Sequence, residues 1–172
     1  MDTVIDASQM DPTFADQIAA EPGGEHIRRC FSCGTCTASC PVREVTERYN
    51  PRRIIRMAVL GLREAVLSSD FIWLCSTCYS CYERCPQDVR ITELMYAFKN
   101  VAVREGYIQP SFRMQVDLLR DHGRLYDITE FENEKRTDHG LPAIAERAED
   151  FGEVFAATGL DELIRPEGEG AD

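Results

Sequence analysis

The stretch CSTCYSCYERCP, residues 75–86, places four cysteines within eleven residues and ends on a proline. The stretch CFSCGTCTASCP, residues 30–41, has the same spacing, C-x2-C-x2-C-x3-C-P, and lies 45 residues earlier. These two runs contain all eight cysteines of the 172-residue chain. The fold and the chemistry of the chain must therefore be organised around one duplicated cysteine pattern.

Eight cysteines in this pattern can form disulfides, zinc sites or iron–sulfur sites. Disulfides are typical of secreted chains, whereas the acidic N-terminus lacks the basic and then apolar order of a signal peptide. A zinc ribbon joins two C-x2-C pairs across a longer loop and would not need the third and fourth cysteines of each run. The run C-x2-C-x2-C-x3-C-P is that of bacterial ferredoxins, in which the fourth cysteine binds the other cluster. Two runs with identical cysteine spacing therefore predict two 4Fe-4S clusters.

The ferredoxin pattern assigns every cysteine to a cluster. The first cluster is predicted to take three cysteines of the first run and the last cysteine of the second: Cys30, Cys33, Cys36 and Cys85. The second cluster is predicted to take the converse set: Cys75, Cys78, Cys81 and Cys40. With four thiolates on each cluster, no iron is open to a substrate, so we expect electron carriers without a catalytic site.

The rest of the chain is predicted to be helical. Asn50 and Pro51 are typical of a helix start, with an N-cap residue followed by proline at the first helical position. Helical spacing of apolar residues recurs in four further segments: 64–67, 92–106, 110–123 and 144–155. No stretch shows the sustained alternation of a strand. The expected fold class is all-α, an alpha-helical ferredoxin with helical N- and C-terminal extensions.

Charge divides the chain into three segments. Residues 1–25 carry a net charge of −6 and residues 127–172 a net charge of −10, whereas residues 26–126 carry +5. We predict an acidic N-terminal segment (1–25), a two-cluster ferredoxin domain (26–110) and a C-terminal helical extension with an acidic tail (111–172). Phe14 and Ile18 would suit a short docking helix, but the composition of the first segment favours a disordered tail.

Composition and missing motifs exclude several function classes. The basic residues are spread out and accompany no nucleic-acid-binding motif, so we expect no nucleic-acid partner. No apolar run approaches the roughly 18 residues that span a bilayer, and with no export signal the expected location is the cytoplasm. Dinucleotide and phosphate-loop motifs are absent as well.

The residues that fill the second run resemble those of a known family. The passage FIWLCSTCYSCYERCPQDV, residues 71–89, is similar to the C subunit of heterodisulfide reductase, and the similarity extends over roughly residues 26–120. Many proteins with the same pair of cysteine runs fuse them to domains with a Cys-Cys-Gly motif. This chain has no Cys-Cys pair, so a catalytic module of that kind would belong to another subunit.

The resemblance implies a place in an electron-transfer chain. In that family, the C subunit transfers electrons between two others. The donor is the flavin subunit, which holds FAD and iron–sulfur clusters. The acceptor is the catalytic subunit, whose Cys-Cys-Gly domains reduce the mixed disulfide of coenzyme M and coenzyme B in methanogenesis. The whole assembly couples this step to flavin-based electron bifurcation, with electrons from a hydrogenase or formate dehydrogenase.

Other functions remain open from the residues. The chain could be the iron–sulfur subunit of a flavin-dependent dehydrogenase that feeds quinone, of the succinate, glycolate or glycerol-phosphate type, or belong to a related complex of sulfur metabolism. A free ferredoxin is disfavoured because the helical flanks exceed what two clusters require.

Overall fold

The chain is built from short helices that tight turns connect. The computed structural model describes residues 7–147, 151–160 and 162. These residues contain the following α-helices: α1 (Phe14–Ala19), α2 (Thr35–Ala38), α3 (Pro41–Val45), α4 (Pro51–Val59), α5 (Arg63–Leu67), α6 (Ser80–Glu83), α7 (Ile91–Arg104), α8 (Pro110–His122), α9 (Glu130–Asp138) and α10 (Phe151–Thr158). Three 3₁₀ turns add to them: Ala7–Gln9, Ile27–Arg29 and Asp70–Leu74. Over the described range there is no β-strand, which confirms the predicted all-α class.

The chain forms two compact units, one that ends at Tyr107 and one that begins at Ile108. The first unit contains α1–α7 and every cysteine, and the second contains α8–α10. The boundaries proposed from the sequence, after residues 25 and 110, stay predictions. No helix in the described part of the chain is long and apolar enough to cross a membrane.

Helix α7 lies at the centre of the first unit. Its predicted apolar face is buried, with no member more than 1% exposed: Leu94, Met95, Phe98, Val101 and Ala102. This helix contacts α1, α5 and α6. Each large apolar side chain buried in this way contributes about 1.5–3 kcal/mol to stability. Helix α7 therefore contributes much of the stability of the unit that contains the cysteine runs.

Helix α4 begins as the sequence predicts and separates an apolar face from a basic one. The side chain of Asn50 accepts a hydrogen bond from the backbone N–H of Arg53 at 3.0 Å, and Pro51 is the first helical residue. Ile54 and Ile55 are at most 2% exposed. Arg52, Arg53 and Arg56 are exposed. Helix α4 therefore packs one face on the core and presents a basic face to solvent.

The N-terminal segment is not a disordered tail where the structure describes it, and that expectation is wrong. Helix α1 buries Phe14 and Ile18 completely, and the Phe14 ring lies 6.4 Å from that of Phe98. Acidic residues of the segment also pair with arginines of the unit, as in the contact of Asp11 with Arg63 at 3.2 Å. The acidic composition of the segment indicates neither the buried apolar face of α1 nor these ion pairs. Residues 1–6 lie outside the described range.

A close backbone contact fixes where this segment attaches. The N–H of Asp11 donates a hydrogen bond to the carbonyl oxygen of Gly61 at 2.8 Å. Gly61 has a left-handed φ of +80°, and a Cβ atom there would lie 2.3 Å from the carbonyl oxygen of Asp11. Only glycine fits at this position.

The second unit agrees with the prediction for α8 and differs farther along the chain. Helix α8 begins at Pro110 and ends before Gly123, as the sequence indicates. The helix predicted over 144–155 is wrong at its start, because residues 144–147 are not helical and α10 begins at Phe151. Helix α9 was not predicted, since no apolar stripe marks it, and a capping box between Thr129 and Glu132 begins it. Much of the predicted acidic tail lies outside the described residues.

Candidate metal centre

The first cysteine run folds as a tight loop that leads into one helical turn. Ser32 and Gly34 have left-handed backbone conformations, with φ of 63° and 89°. They turn the chain on either side of Cys33. Helix α2 follows directly and carries Cys36, which is 7% exposed. The two C-x2-C steps thus become a loop and a turn of helix.

The second run repeats this backbone at the 45-residue interval of the sequence. Thr77 and Tyr79 stand where the first run has Ser32 and Gly34, and their φ values are 53° and 61°. Helix α6 then follows, as α2 does, and its Cys81 is 8% exposed. The internal repeat therefore extends from the cysteine spacing to the backbone conformation.

Hydrogen bonds between the middle thiols and nearby hydroxyls repeat as well. Cys33 Sγ lies 3.4 Å from Thr35 Oγ1, and Cys78 Sγ lies 3.6 Å from Ser80 Oγ. The Thr35 hydroxyl and N–H lower the pKa of Cys33, and the Ser80 N–H and hydroxyl lower that of Cys78. These hydrogen bonds favour the thiolate form of Cys33 and of Cys78, which is the form that binds iron.

Cysteines from both runs line one cavity. Three belong to the first run and one is the last cysteine of the second: Cys30, Cys33, Cys36 and Cys85. Arg52 is the only charged residue among the described residues that line it. Thiolates are soft ligands suited to iron–sulfur clusters. Here four cysteines line a cavity, as the ligands of a cluster would, and do not converge on a single metal ion.

The segment after Cys85 is held against the turn that precedes the first run. His26 donates a hydrogen bond from Nδ1 to the carbonyl oxygen of Asp88 at 2.8 Å, and Arg29 lies 3.4 Å from the Asp88 carboxylate. The N–H of Val89 donates to the sulfur of Cys85 at 3.4 Å. These contacts hold Cys85 beside cysteines that lie far from it in sequence.

Other cysteines meet around a buried tyrosine. Tyr49 is 2% exposed, and its hydroxyl interacts with the side chain of Cys75. The pKa of Tyr49 is raised well above its ordinary value, mainly by burial and then by the nearby Cys75, Cys40 and Cys81. Tyr49 therefore lies where the last cysteine of the first run approaches two cysteines of the second.

Cys81 has the same neighbours. Burial is the main cause of its raised pKa, and the Thr92 hydroxyl, 3.7 Å from its sulfur, opposes the increase. Smaller increases come from three nearby thiols: Cys75, Cys40 and Cys78. Cys40 thus lies with the cysteines of the other run, as Cys85 does.

The two groups of sulfur atoms are close to each other. Burial raises the pKa of Cys36 to about 11, and the neighbouring thiols Cys30, Cys81 and Cys33 add to the effect. Cys81 belongs to the other run, and α2 contacts α6. Cys36 and Cys81 therefore lie where the two groups meet.

One basic side chain interacts with each run. Arg52 lowers the pKa of Cys33. Lys99 is half-buried, which lowers its pKa, and it interacts with Cys75. Its ammonium group also lies 5.7 Å from the centre of the Trp73 ring. A positive charge favours the more negative, reduced form of a nearby cluster.

The donor set suits clusters. No three His, Cys, Asp or Glu side chains in the described ranges converge as the ligands of one metal ion do. A 4Fe-4S cluster binds its four thiolates at separate irons, and four cysteines line the first cavity.

Some neighbours of the cysteines were not predicted from the sequence. Tyr49 belongs to no motif, and only the fold brings it to Cys75. Asp88 and Lys99 likewise follow the second run without a recognisable pattern. The strained φ of +50° at Asp88 marks it in the structure but not in the sequence.

Comparison with known families supports the same cofactor. The 4Fe-4S dicluster domain family matches residues 26–89, which contain both cysteine runs. Two 4Fe-4S clusters are therefore the cofactors of this chain, and its fold is that of an alpha-helical ferredoxin.

Known proteins match nearly the whole chain. The C subunit of the H(2):CoB-CoM heterodisulfide,ferredoxin reductase from Methanothermobacter thermautotrophicus is 34% identical over 170 residues, which are 95% of this chain and 91% of that protein. This chain belongs to the family of heterodisulfide reductase C subunits. As a member of the family it is an iron–sulfur electron-transfer subunit of an oxidoreductase, as the resemblance implied.

Two further members of the family show how far the similarity reaches. The iron-sulfur C subunit of the CoB--CoM heterodisulfide reductase from Methanopyrus kandleri is 37% identical over 150 residues, 83% of this chain and 78% of its own length. The C subunit of the Ferredoxin:CoB-CoM heterodisulfide reductase from Methanosarcina mazei is 40% identical over 132 residues, 77% of this chain and 81% of its own length.

Proposed function

We propose that the two clusters are bound crosswise by the two runs. The first cluster takes Cys30, Cys33, Cys36 and Cys85, and the second takes Cys75, Cys78, Cys81 and Cys40. The shared cavity around the first set supports this assignment. The interactions of Cys40 with Cys75 and Cys81 support the second set.

We propose that the chain passes electrons, one at a time, between two other subunits of a heterodisulfide reductase. The donor is a flavin subunit with FAD and iron–sulfur clusters, and the acceptor is a catalytic subunit that reduces the CoM-S-S-CoB disulfide in methanogenesis. The relatives are named as subunits of enzymes for this disulfide. The observation that carries the proposal is the pair of adjacent cysteine groups in a chain that matches these proteins over 95% of its length.

The residues of this chain hold, shield and tune the clusters, which supply one-electron carriers when bound. Cys36 and Cys81 are buried where the two cysteine groups meet, so both side chains are shielded from water. Tyr49 and Lys99 act on the second group, and Arg52 acts on the first. Hydrogen bonds and charges of this kind set the potential of a cluster.

The upstream electron source is a finer part of the proposal. A relative from Methanococcus maripaludis is named as part of an H(2)/formate:CoB-CoM heterodisulfide,ferredoxin reductase. We propose a larger complex with a hydrogenase or formate dehydrogenase, in which bifurcation takes place at the FAD of the flavin subunit. Cysteines that bind clusters must stay out of disulfides, which favours a reducing compartment, so the proposed location is the cytoplasm.

A reconstituted electron-transfer assay tests this function. The flavin and catalytic subunits from the same source are prepared anaerobically and assayed for reduction of CoM-S-S-CoB, with and without this chain. We expect turnover only when the chain is present, and no turnover by the chain alone. Cys81→Ala should abolish transfer, whereas Ser68→Ala, an exposed change in the same unit, should have no effect.

Two results would contradict the proposal. Full turnover by the flavin and catalytic subunits without this chain would show that it carries no electrons between them. Transfer to a quinone analogue, with none to the catalytic subunit, would favour a flavin dehydrogenase instead.

A further inference from the structure

A basic groove lies beside the first cysteine group. It is lined by a serine, an asparagine, three arginines and three apolar residues: Ser32, Asn50, Arg52, Arg53, Arg56, Met57, Leu60 and Leu62. No acidic residue is among the described residues that line it. The groove is therefore positively charged in a chain whose net charge is −11.

The arginines of the groove are free to meet a partner. Their side chains are exposed on the outer face of α4, because Ile54, Ile55 and their neighbours occupy the inner face. None of the three guanidinium groups forms an ion pair with a carboxylate of the described residues. Other arginines of the first unit do form such pairs, as Arg63 does with Asp11.

The groove adjoins the site of the first cluster. Ser32 and Arg52 line both the groove and the cavity of the first cysteine group. Phe31, on the wall of that cavity, is 60% exposed, and Leu60 of the groove is 42% exposed. An acidic surface that settled in the groove would therefore lie next to the first cluster, where a short distance favours electron transfer.

Part of this charge lies outside the cavity of the first cysteine group. Arg52 interacts with Cys33, and a role in offsetting the charge of the thiolates would explain it. Arg53 and Arg56 do not line the cavity of the first cysteine group. Both are exposed in the groove, where a negatively charged partner would meet them.

We propose that this groove docks an acidic surface of the redox partner that exchanges electrons with the first cluster. The proposal rests on the electron-transfer function proposed above. Met57, Leu60 and Leu62 provide apolar contact, and Arg53 and Arg56 attract and orient the acidic residues. Charges at the rim of an interface act mainly on the association rate and on its salt dependence.

Charge reversal at the two arginines outside the cavity tests the docking surface. Affinity for the cluster-loaded chain is measured separately for the flavin subunit, then for the catalytic subunit, at low and high salt. Arg53→Glu with Arg56→Glu should weaken the binding of one of them by about tenfold or more at low salt, and the loss should shrink as salt screens the charges. Arg53→Lys with Arg56→Lys should bind nearly as the unaltered chain does.

Two controls separate docking from folding and from net charge. Lys135→Glu with Arg147→Glu changes the net charge equally at exposed sites of the second unit and should leave binding unchanged. Iron content and cluster potentials of the Arg53/Arg56 double variant should equal those of the unaltered chain. Arg53→Glu places an acidic residue in the first turn of α4, which is favourable, so the helix should persist.

The outcomes distinguish the two proposals. If the unaltered chain binds neither partner, both the function and the docking surface are wrong. If it binds and transfers electrons, and the double reversal changes neither, only the docking surface is wrong. A double reversal that abolishes salt-dependent dimerisation of this chain, with partner binding intact, would assign the groove to a second copy and overturn the proposal.

Discussion

The two cysteine runs have the same backbone and different surroundings. Their spacing and their pairs of left-handed residues repeat at the 45-residue interval. The first run contains small residues, and its cavity opens beside the exposed Phe31 and the basic groove. The second contains Tyr79 and Tyr82, whose rings meet edge-on at 5.7 Å, and it lies against the buried Tyr49. The comparison indicates that spacing governs ligation, whereas neighbouring side chains set exposure and potential.

Removal of iron should affect both runs most strongly. Without clusters, each run would be a series of left-handed turns and short helices with few buried side chains of its own to hold it. We expect both runs to lose amide-exchange protection together after anaerobic oxidation and chelation. The expected loss in the free energy of unfolding is as large as the whole stability of a typical domain, about 5–15 kcal/mol. One run that stayed protected would show that the two depend on their clusters unequally.

Tyr49→Phe should change the second cluster and spare the first. The variant removes the hydroxyl that interacts with Cys75 and leaves the packing of the ring. Hydrogen bonds to charged groups contribute about 1.5–3 kcal/mol, and a tenfold change in a one-electron equilibrium is about 59 mV. A redox titration followed by electron paramagnetic resonance should therefore show the potential of the second cluster falling by at least about 59 mV.

A matched change in the first run gives the control. Thr35→Val removes the hydroxyl near Cys33 and should lower only the potential of the first cluster. Equal shifts of both clusters in either variant would contradict the division of neighbours between the runs.

Gly34→Ala should destabilise the loaded protein, whereas Tyr79→Gly should not. Both positions have a left-handed φ, which costs a residue with a Cβ about 1–2 kcal/mol. A Cβ at Gly34 has room, since its nearest neighbour is Arg52 Cδ at 3.8 Å, so the conformational cost is the whole effect. Tyr79→Gly removes that cost but also loses the contact with Tyr82, worth about 0.5–1.5 kcal/mol. Chemical denaturation measures both, and equal losses of stability would contradict the backbone equivalence.

Lys99→Met and Arg52→Met should give the smallest effects, one on each cluster. Each removes a positive charge that interacts with a single run. Solvent screening limits such effects to a few tenths of a kcal/mol, so we expect potentials lower by on the order of 10–40 mV. The Lys99 variant should act on the second cluster and the Arg52 variant on the first. The reverse assignment in the same titrations would overturn the placement of these charges.

Much of the site could be predicted because it depends on local spacing. The two runs alone predict the cofactors, and Asn50 with Pro51 predicts the start of α4. The apolar face of α7 is equally visible, since 3.6-residue periodicity survives over its 14 residues.

Tertiary contacts could not be predicted in this way. Tyr49 reaches Cys75 only because the chain folds back, and α1 docks through Phe14 and through pairs of acidic residues with arginines. Composition counts those acidic residues as signs of disorder. Helix α9 depends on its capping box rather than on an apolar stripe, so a search for periodicity does not find it.

Spectra of four single variants test crossed ligation, the central claim about the two runs. Cys33→Ala should leave the second cluster as the only intact one, and Cys78→Ala should leave the first. These two variants define the separate electron paramagnetic resonance and Mössbauer signals of the clusters. Cys85→Ala and Cys40→Ala are then compared with them.

Crossed ligation predicts that Cys85→Ala perturbs the same signal as Cys33→Ala, and that Cys40→Ala perturbs the same signal as Cys78→Ala. If Cys85→Ala instead matched Cys78→Ala, each run would hold its own cluster, and crossed ligation would be wrong.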